Sequence, residues 1–321
     1  MVHYQRGYYG WSRSLKEFAA SETAFARAIE LDPASISARR GLIRLYWTRG
    51  KSEECLRQGK LIAASGARGV EASVGRAEAY FFGGLHERAL PLLRQVMEDD
   101  PANAAAPWFM TMAACWAGHF QDAVSAGEKY LAAFGEDTDI HMWMAVALHS
   151  MGRRKEAEFH YRRSIDTGPP DAAEQQKLYA VSFFRQDGRL DEADKLALET
   201  IDLIENKLLR NPDGFYLRGN LGTAYGLVGD RARMREEEAR VRSDLGDAGQ
   251  DLGTLADGEG MIGDKKRFVE LRRILLRAGN TDRSYRILRA LFADPMIEDY
   301  PGYKEFAAEA DLEIKRLEAL Y

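Results

Sequence analysis

The chain has 321 residues, 45% of them hydrophobic and 30% charged, a balance that is typical of folded proteins and excludes a mainly disordered chain. Its net charge of −5 provides no general attraction to nucleic acid or to anionic membranes, so we expect neither as a partner. The first residues lack the apolar core of a secretory leader, and no apolar run is long enough to cross a bilayer. We therefore expect a cytoplasmic protein whose two cysteines, Cys55 and Cys115, are reduced.

The first 65 residues predict two pairs of helices, of which the first is irregular. Aromatic residues from Tyr4 to Phe18 precede a helical pattern that ends at Asp32-Pro33, with a few residues inserted in the turn between the two helices. The next pair centres on Tyr46 and Gly50. Both segments are typical of helix–turn–helix units.

A period of 34 residues organises the chain from residue 70 to residue 171. The glycines Gly84, Gly118 and Gly152 recur at this spacing, and so do the alanines Ala89, Ala123 and Ala157. Such a period in a sequence with helical spacing of its apolar residues predicts stacked helix–turn–helix units. The glycine is expected in the turn, where a positive φ is often needed, and alanine where two helices cross closely.

The remaining residues continue the array with less regularity. One unit centres on Gly188, with its second helix extended through Ile204 to Leu209, and another contains Leu221 to Asp230. Residues 244–264 are rich in glycine and acids and predict a turn followed by a poorly formed helix. Helices near 265–278, 281–292 and 302–319 are expected to cap the array with a polar outer face. We thus divide the chain into a repeat array, 1–243, and a continuous degenerate and capping part, 244–321.

The sequence resembles the tetratricopeptide repeat family, most closely in Leu221-Gly-Thr-Ala-Tyr225-Gly-Leu-Val-Gly229-Asp. The irregular opening and the closing segment, Asp294-Pro295 to Phe306, resemble tetratricopeptide regions of bacterial multidomain regulators. Those regions commonly follow winged-helix transcription-factor or class III adenylate cyclase domains. The resemblance implies an all-α, right-handed superhelix of about seven to eight repeats with capping helices. It implies protein binding as the function and specifies no client.

The resemblance also implies a binding groove along the first helix of each unit, at its second, fifth, ninth and twelfth positions. These positions and two flanking residues hold Trp108, Met112, Cys115, Asp139, Met142, Trp143, Val146, His149, Leu178, Tyr179 and Arg185. Some family members grip a terminal carboxylate with lysine, asparagine and arginine, but this chain has Trp108, Met112, Asp139 and Trp143 at those places. Methionine and tryptophan suit an apolar or amphipathic protein segment. The same residues could instead pack between helices as core.

Other motifs give weaker signals for chemistry. Gly258-Glu-Gly-Met-Ile-Gly263 matches a dinucleotide-binding pattern but lacks the preceding strand, so a repeat turn is favoured. A zinc site from His149 and Cys115 has no recognisable ligand spacing, and surface or hydrogen-bonded histidines are favoured. The arginines of 231–242 and 265–277 alternate with acidic residues, which favours a solvent-exposed helix face over a surface that binds phosphate groups. We expect no cofactor, no metal and no catalytic residue.

Two hypotheses for function follow. The first is a non-catalytic scaffold whose groove binds a peptide or a partner helix. The second is a sensory or regulatory domain of a larger bacterial signalling protein, acting through ligand binding or self-association, with 244–264 as a flexible joint. Homodimerisation through an open end of the array stays open, because exposed end helices attract partners.

Overall fold

The computed structural model describes residues 15–168, 173–212, 215–281 and 299–321. Within these ranges the regular secondary structure is helical, with no β-strand. Several predicted features lie outside them: the aromatic segment from Tyr4 to Trp11, the 281–292 helix beyond residue 281, and Asp294-Pro295. The described residues confirm an all-α protein.

The helices α1 to α16 are numbered here as they occur in the described residues. They are α1 Leu15–Leu31, α2 Ile36–Thr48, α3 Ser52–Ala64, α4 Val70–Phe82, α5 His86–Asp99, α6 Ala105–Ala117, α7 Phe120–Phe134, α8 Thr138–Ser150, α9 Arg154–Asp166, α10 Glu174–Gln186, α11 Leu190–Arg210, α12 Phe215–Leu227, α13 Arg231–Leu245, α14 Gln250–Met261, α15 Lys265–Arg277 and α16 Pro301–Leu320. A short 3₁₀ helix, Gly246–Ala248, precedes α14.

Seven helix hairpins, α2–α3 through α14–α15, stack along the described chain. Each turn contains a glycine with positive φ, as at Gly118 (85°) and Gly152 (78°), where an L-residue would be strained. The equivalent glycines are Gly50, Gly84, Gly188, Gly229 and Gly263. The predicted register of the repeats is therefore confirmed.

Small residues let the two helices of each hairpin approach closely. Ala89, Ala123 and Ala157 have no exposed surface and lie in one hydrophobic core that runs through most of the described array. The first helices of neighbouring units also touch, as α6 and α8 do. Each unit thus buries its apolar face against its neighbours, which is how solenoids gain stability.

The structure confirms one expectation about the second half of the chain and contradicts another. The extension of α11 is confirmed, because the helix runs to Arg210 and ends at Asn211. The expected poorly formed helix after residue 244 is wrong, since α14 is a regular helix buried along most of its length. Its glycines permit close packing: a β-carbon at Gly258 would lie 2.6 Å from the Thr223 hydroxyl oxygen. This buried helix also offers no support for a flexible joint.

The array closes on itself, which the sequence did not predict. The Gln250 side chain at the start of α14 donates to the Trp47 carbonyl oxygen (3.2 Å) at the end of α2. The Thr281 amide donates to Ser52 Oγ (3.1 Å), and its hydroxyl donates to the Gly83 carbonyl oxygen (3.1 Å). The last helix, α16, packs against α3 and the start of α5. The described chain thus forms a closed solenoid.

Candidate binding surface on the concave face

Aromatic side chains form a continuous line across the first helices of five units. We call this line the aromatic row; it consists of Trp47, Phe82, Phe81, Trp116, Trp143 and Tyr179. Neighbouring ring centroids in the row lie 5.0 to 6.2 Å apart, the distance range of favourable aromatic contacts. The row therefore forms a continuous aromatic contact from α2 to α10, in which Phe81, Phe82, Trp143 and Tyr179 are buried and Trp47 and Trp116 are half-buried.

The chain's own C-terminal half covers part of the aromatic row. A cavity of about 30 Å³ remains between five of its rings, Met112 and His86 on one side and Gln250 and Asn280 on the other. A space of that size holds water molecules and is too small for the large apolar side chains of a peptide segment. Access for a partner would require Gln250 and Asn280 to move.

The structure buries most of the side chains that the sequence assigned to a groove. Eight are buried, namely Met112, Cys115, Met142, Trp143, Val146, His149, Leu178 and Tyr179. The other three, Trp108, Asp139 and Arg185, are half-buried, and Arg185 is paired with Asp194 (2.6 Å). Trp143 and Tyr179 are brought together in the aromatic row. Binding by these residues stays a prediction.

Four members of the row were not assigned to the groove from the sequence: Trp47, Phe81, Phe82 and Trp116. A signal for them was present, because Trp47 and Phe81 each lie three residues before a turn glycine, and Phe82 and Trp116 each lie two before. These positions are at the ends of first helices, beside the turns that the C-terminal half contacts.

Asp139 lies in an acidic environment at the start of α8. Asp137 caps this helix by accepting from the Asp139 and Ile140 amides (3.0 and 3.1 Å), and the Gln176 side chain donates to Asp139 (3.0 Å). Burial of the carboxyl group, with a smaller contribution from the Asp137 charge, raises the pKa of Asp139 to about 8. Near neutral pH this group is therefore largely protonated.

We predict that Asp139→Asn stabilises the protein at pH 8 and not at pH 4. The raised pKa means that ionisation of Asp139 costs the folded state stability progressively from about pH 4 to pH 8, whereas asparagine stays neutral. The gain at pH 8 should be roughly 1–3 kcal/mol, because partial exposure of Asp139 and its hydrogen bond from Gln176 reduce the cost of its charge. Urea unfolding at both pH values measures it, with the exposed Asp202→Asn as control. A gain that is equal at both values would contradict the assignment.

Histidines form two kinds of contact in the described residues. His141 Nδ1 lies 2.7 Å from His160 Nδ1, and His141 Nε2 lies 2.7 Å from Glu136. His119 pairs with Glu87 at the surface, whereas His86 is buried against Phe81 and Trp116. These histidines thus contribute to packing and to local hydrogen bonds.

His149 and Cys115 are both buried. Burial, with the nearby Arg154 charge, lowers the pKa of His149 to about 4, and burial raises the pKa of the Cys115 thiol. Within the described ranges, no group of three or more histidine, cysteine or acidic side chains is arranged to hold a metal ion.

The arginine-rich helices and the glycine motif have structural roles. Arginines of α13 and α15 pair with carboxylates of α13 and α14, as Arg231 does with the buried Glu259 (2.6 Å) and Arg267 with Glu238. Gly258 and Gly260 lie inside α14, and Gly263 is in the following turn, so no strand precedes the motif. No helix in the described residues is both long and apolar enough to span a bilayer.

A second, larger groove lies between α5 and α7. Its volume is about 400 Å³, with Met97, Met110 and Phe134 among its apolar residues. Its charges have both signs, and two of them, Arg94 and Asp122, pair with each other (3.1 Å). The groove thus shows no preference for a ligand of one charge.

The sequence matches no family model and none of the curated proteins with which it was compared. Solved structures that resemble the chain are tetratricopeptide repeat proteins. A chain of the APC/C hetero-tetramer Cut9–Hcn1 is 12% identical, with a TM-score of 0.50 over 85% of this chain and 52% of that one. A tetratricopeptide repeat protein from Parabacteroides merdae is 14% identical, covering 90% of this chain and 95% of its own, with a TM-score of 0.41. YrrB, described as having an unusual peptide-binding site, is 16% identical, covering 68% of this chain and 91% of its own, with a TM-score of 0.32. At these identities the likeness concerns the fold, which is tetratricopeptide-like.

Proposed function

We propose that the protein is a non-catalytic interaction scaffold that binds an apolar or amphipathic segment of a partner protein on its concave face. The observation that supports this proposal is the aromatic row, whose rings are in contact across the first helices of five units. Tryptophan and tyrosine are enriched among the few residues that dominate binding energy at protein interfaces, because they bury large areas with little conformational freedom to lose. Trp116 also has a buried indole N–H with no hydrogen-bond partner in the described part of the chain, which a partner's carbonyl oxygen would reach once Gln250 and Asn280 move.

The experiment selects binders from a library of displayed 16-residue peptides on the full chain. Peptides that bind should be apolar or amphipathic, and Trp116→Leu should weaken them roughly thirtyfold, which corresponds to a hot spot of ~2 kcal/mol. Phe159→Leu is the matched control, because Phe159 is 58% exposed and lies outside the row. Circular dichroism verifies that both variants keep their helices. Selected peptides that bind both variants equally well would place the site elsewhere.

The closure of the array supports the second hypothesis, a regulatory domain of a larger signalling protein. Residues of α14, Thr281 and α16 contact the first hairpins while Gln250 and Asn280 cover the aromatic row. A covered binding surface gives a protein two states, closed and open, whose balance a ligand can shift. If this is its role, selected peptides should increase amide hydrogen exchange in α16; unchanged exchange would favour a simple scaffold.

A further inference from the structure

The surface that receives α16 has both an apolar and a charged part. We call it the rim site and define it by Leu56, Tyr80 and Leu85 with the charged residues Glu53, Lys60 and Arg88. Leu56 and Leu85 form a small hydrophobic cluster with Ile314 and Leu317 of α16, separate from the main core. The two α16 residues are three positions apart, so they lie on one face of the helix.

The charged part of the rim site binds the end of the helix through its backbone. Arg88 donates to the Glu318 carbonyl oxygen (2.6 Å), and Lys60 donates to the Leu320 carbonyl oxygen (3.1 Å). The last carbonyl groups of a helix lack partners within the helix and carry the negative end of its dipole. Two cations at this place therefore recognise a helix C-terminus whatever its side chains are.

Glu53 adds contacts to side chains of the same helix end. It accepts from the Tyr321 hydroxyl and from Arg316, each at 3.1 Å. The rim site thus combines an apolar pocket, two donors for backbone carbonyls and one carboxylate. Together these features fit the last two turns of an amphipathic helix with apolar residues spaced by three and a basic side chain nearby.

The rim site adjoins the residues that cover the aromatic row. Thr281 contacts Ser52 and Gly83 next to it, and a β-carbon at Gly84 would lie only 2.7 Å from the Thr281 carbonyl oxygen. Asn280, the preceding residue, lines the cavity over the row. Release of α16 from the rim site would remove one of the contacts that hold this end of the chain over the row.

We propose that the rim site is a receptor for the C-terminal end of an amphipathic helix of a partner protein, and that α16 occupies it within the chain. The proposal rests on the proposed function and names the place and the chemistry of partner recognition. A tethered α16 competes at high effective concentration, so a free helix binds weakly until α16 is released.

The test uses a fluorescent peptide of residues 301–321 as the probe and fluorescence anisotropy with the full chain. Leu317→Asp places a charge in the apolar cluster and releases α16, so the variant should bind the probe at least tenfold more tightly than the wild type. Leu312→Asp is the matched control on the same helix, because Leu312 is 68% exposed, and it should behave like the wild type. Equal affinity of both variants, with helicity retained, would overturn the proposal.

A second pair of variants tests the site without touching the core. Lys60→Glu combined with Arg88→Glu should abolish probe binding in the Leu317→Asp chain. In the wild-type chain the same pair should raise amide exchange of residues 301–320 at least tenfold. Unchanged exchange would overturn the recognition of the helix end. If the Leu317→Asp chain forms dimers and does not bind the probe, the proposal is overturned and a second copy of the chain occupies the rim site. If selected peptides bind more weakly to Trp116→Leu and equally well to the Lys60→Glu/Arg88→Glu variant, the proposed function is supported and the rim site is not a receptor.

Discussion

Replacement of Trp143 by alanine is expected to lower the free energy of unfolding by about 3–5 kcal/mol, the cost of removing a large buried aromatic side chain. Trp143 is 4% exposed and lies between Trp116 and Tyr179, with ring centroids 5.4 and 6.0 Å away. Its removal leaves a cavity at the middle of the aromatic row, where three neighbouring first helices meet. The surrounding helices cannot collapse fully into that space because each is also held by its own hairpin partner.

Urea unfolding followed by circular dichroism measures this loss. The control is Phe159→Ala, which removes an aromatic side chain that is 58% exposed and should change stability by no more than ~0.5 kcal/mol. The comparison separates the two interpretations of Trp143 that the sequence left open, core residue and partner contact. A loss below about 1 kcal/mol together with lost peptide binding would make Trp143 mainly a partner contact.

The parts of the fold that depend on local conformation could be predicted from the sequence. Gly118 and Gly152 identified the turns because a positive φ favours glycine at that position. The same requirement recurs every 34 residues, so the glycines form a periodic pattern. The end of α11 was predictable for a similar reason, since Asn211-Pro212 follows the last helical residue. Each of these signals lies within a few residues of the structure that it determines.

Features that depend on distant contacts could not be predicted. The glycines of α14 predicted a weak helix, yet Gly258 serves a close contact with Thr223, 35 positions earlier in the chain. The closure depends on single contacts such as that of Thr281 with Ser52, which leave no periodic pattern. Met112 and Trp143, which the repeat register assigned to the groove, line one cavity with Gln250 and Asn280 from the other end of the array, and no local pattern marks that contact.

A second large effect is expected at Glu78, a buried carboxylate of α4. Its side chain is 0% exposed, and the guanidinium groups of Arg40 and Arg44 from α2 lie 2.6 and 3.0 Å away. Burial raises the pKa of Glu78, but Arg44 and Arg40 outweigh it and hold the pKa below its ordinary value. We predict that Glu78→Gln lowers the free energy of unfolding by about 3 kcal/mol at pH 7, since it leaves two cations without their shared anion.

The pH dependence of this loss distinguishes a charge effect from a packing effect. Because the pKa of Glu78 is lowered in the folded state, its contribution is present above the ordinary pKa and is lost as pH falls through the folded value. The wild type and Glu78→Gln should therefore converge in urea unfolding at the acidic end of the range where both still fold. Glu30→Gln, which breaks the exposed pair with Arg27, serves as the control and should have little effect at any pH. A difference that persists unchanged at acidic pH would show that Glu78 acts through shape and hydrogen bonds, and that the charge of this network is not what joins α2 to α4.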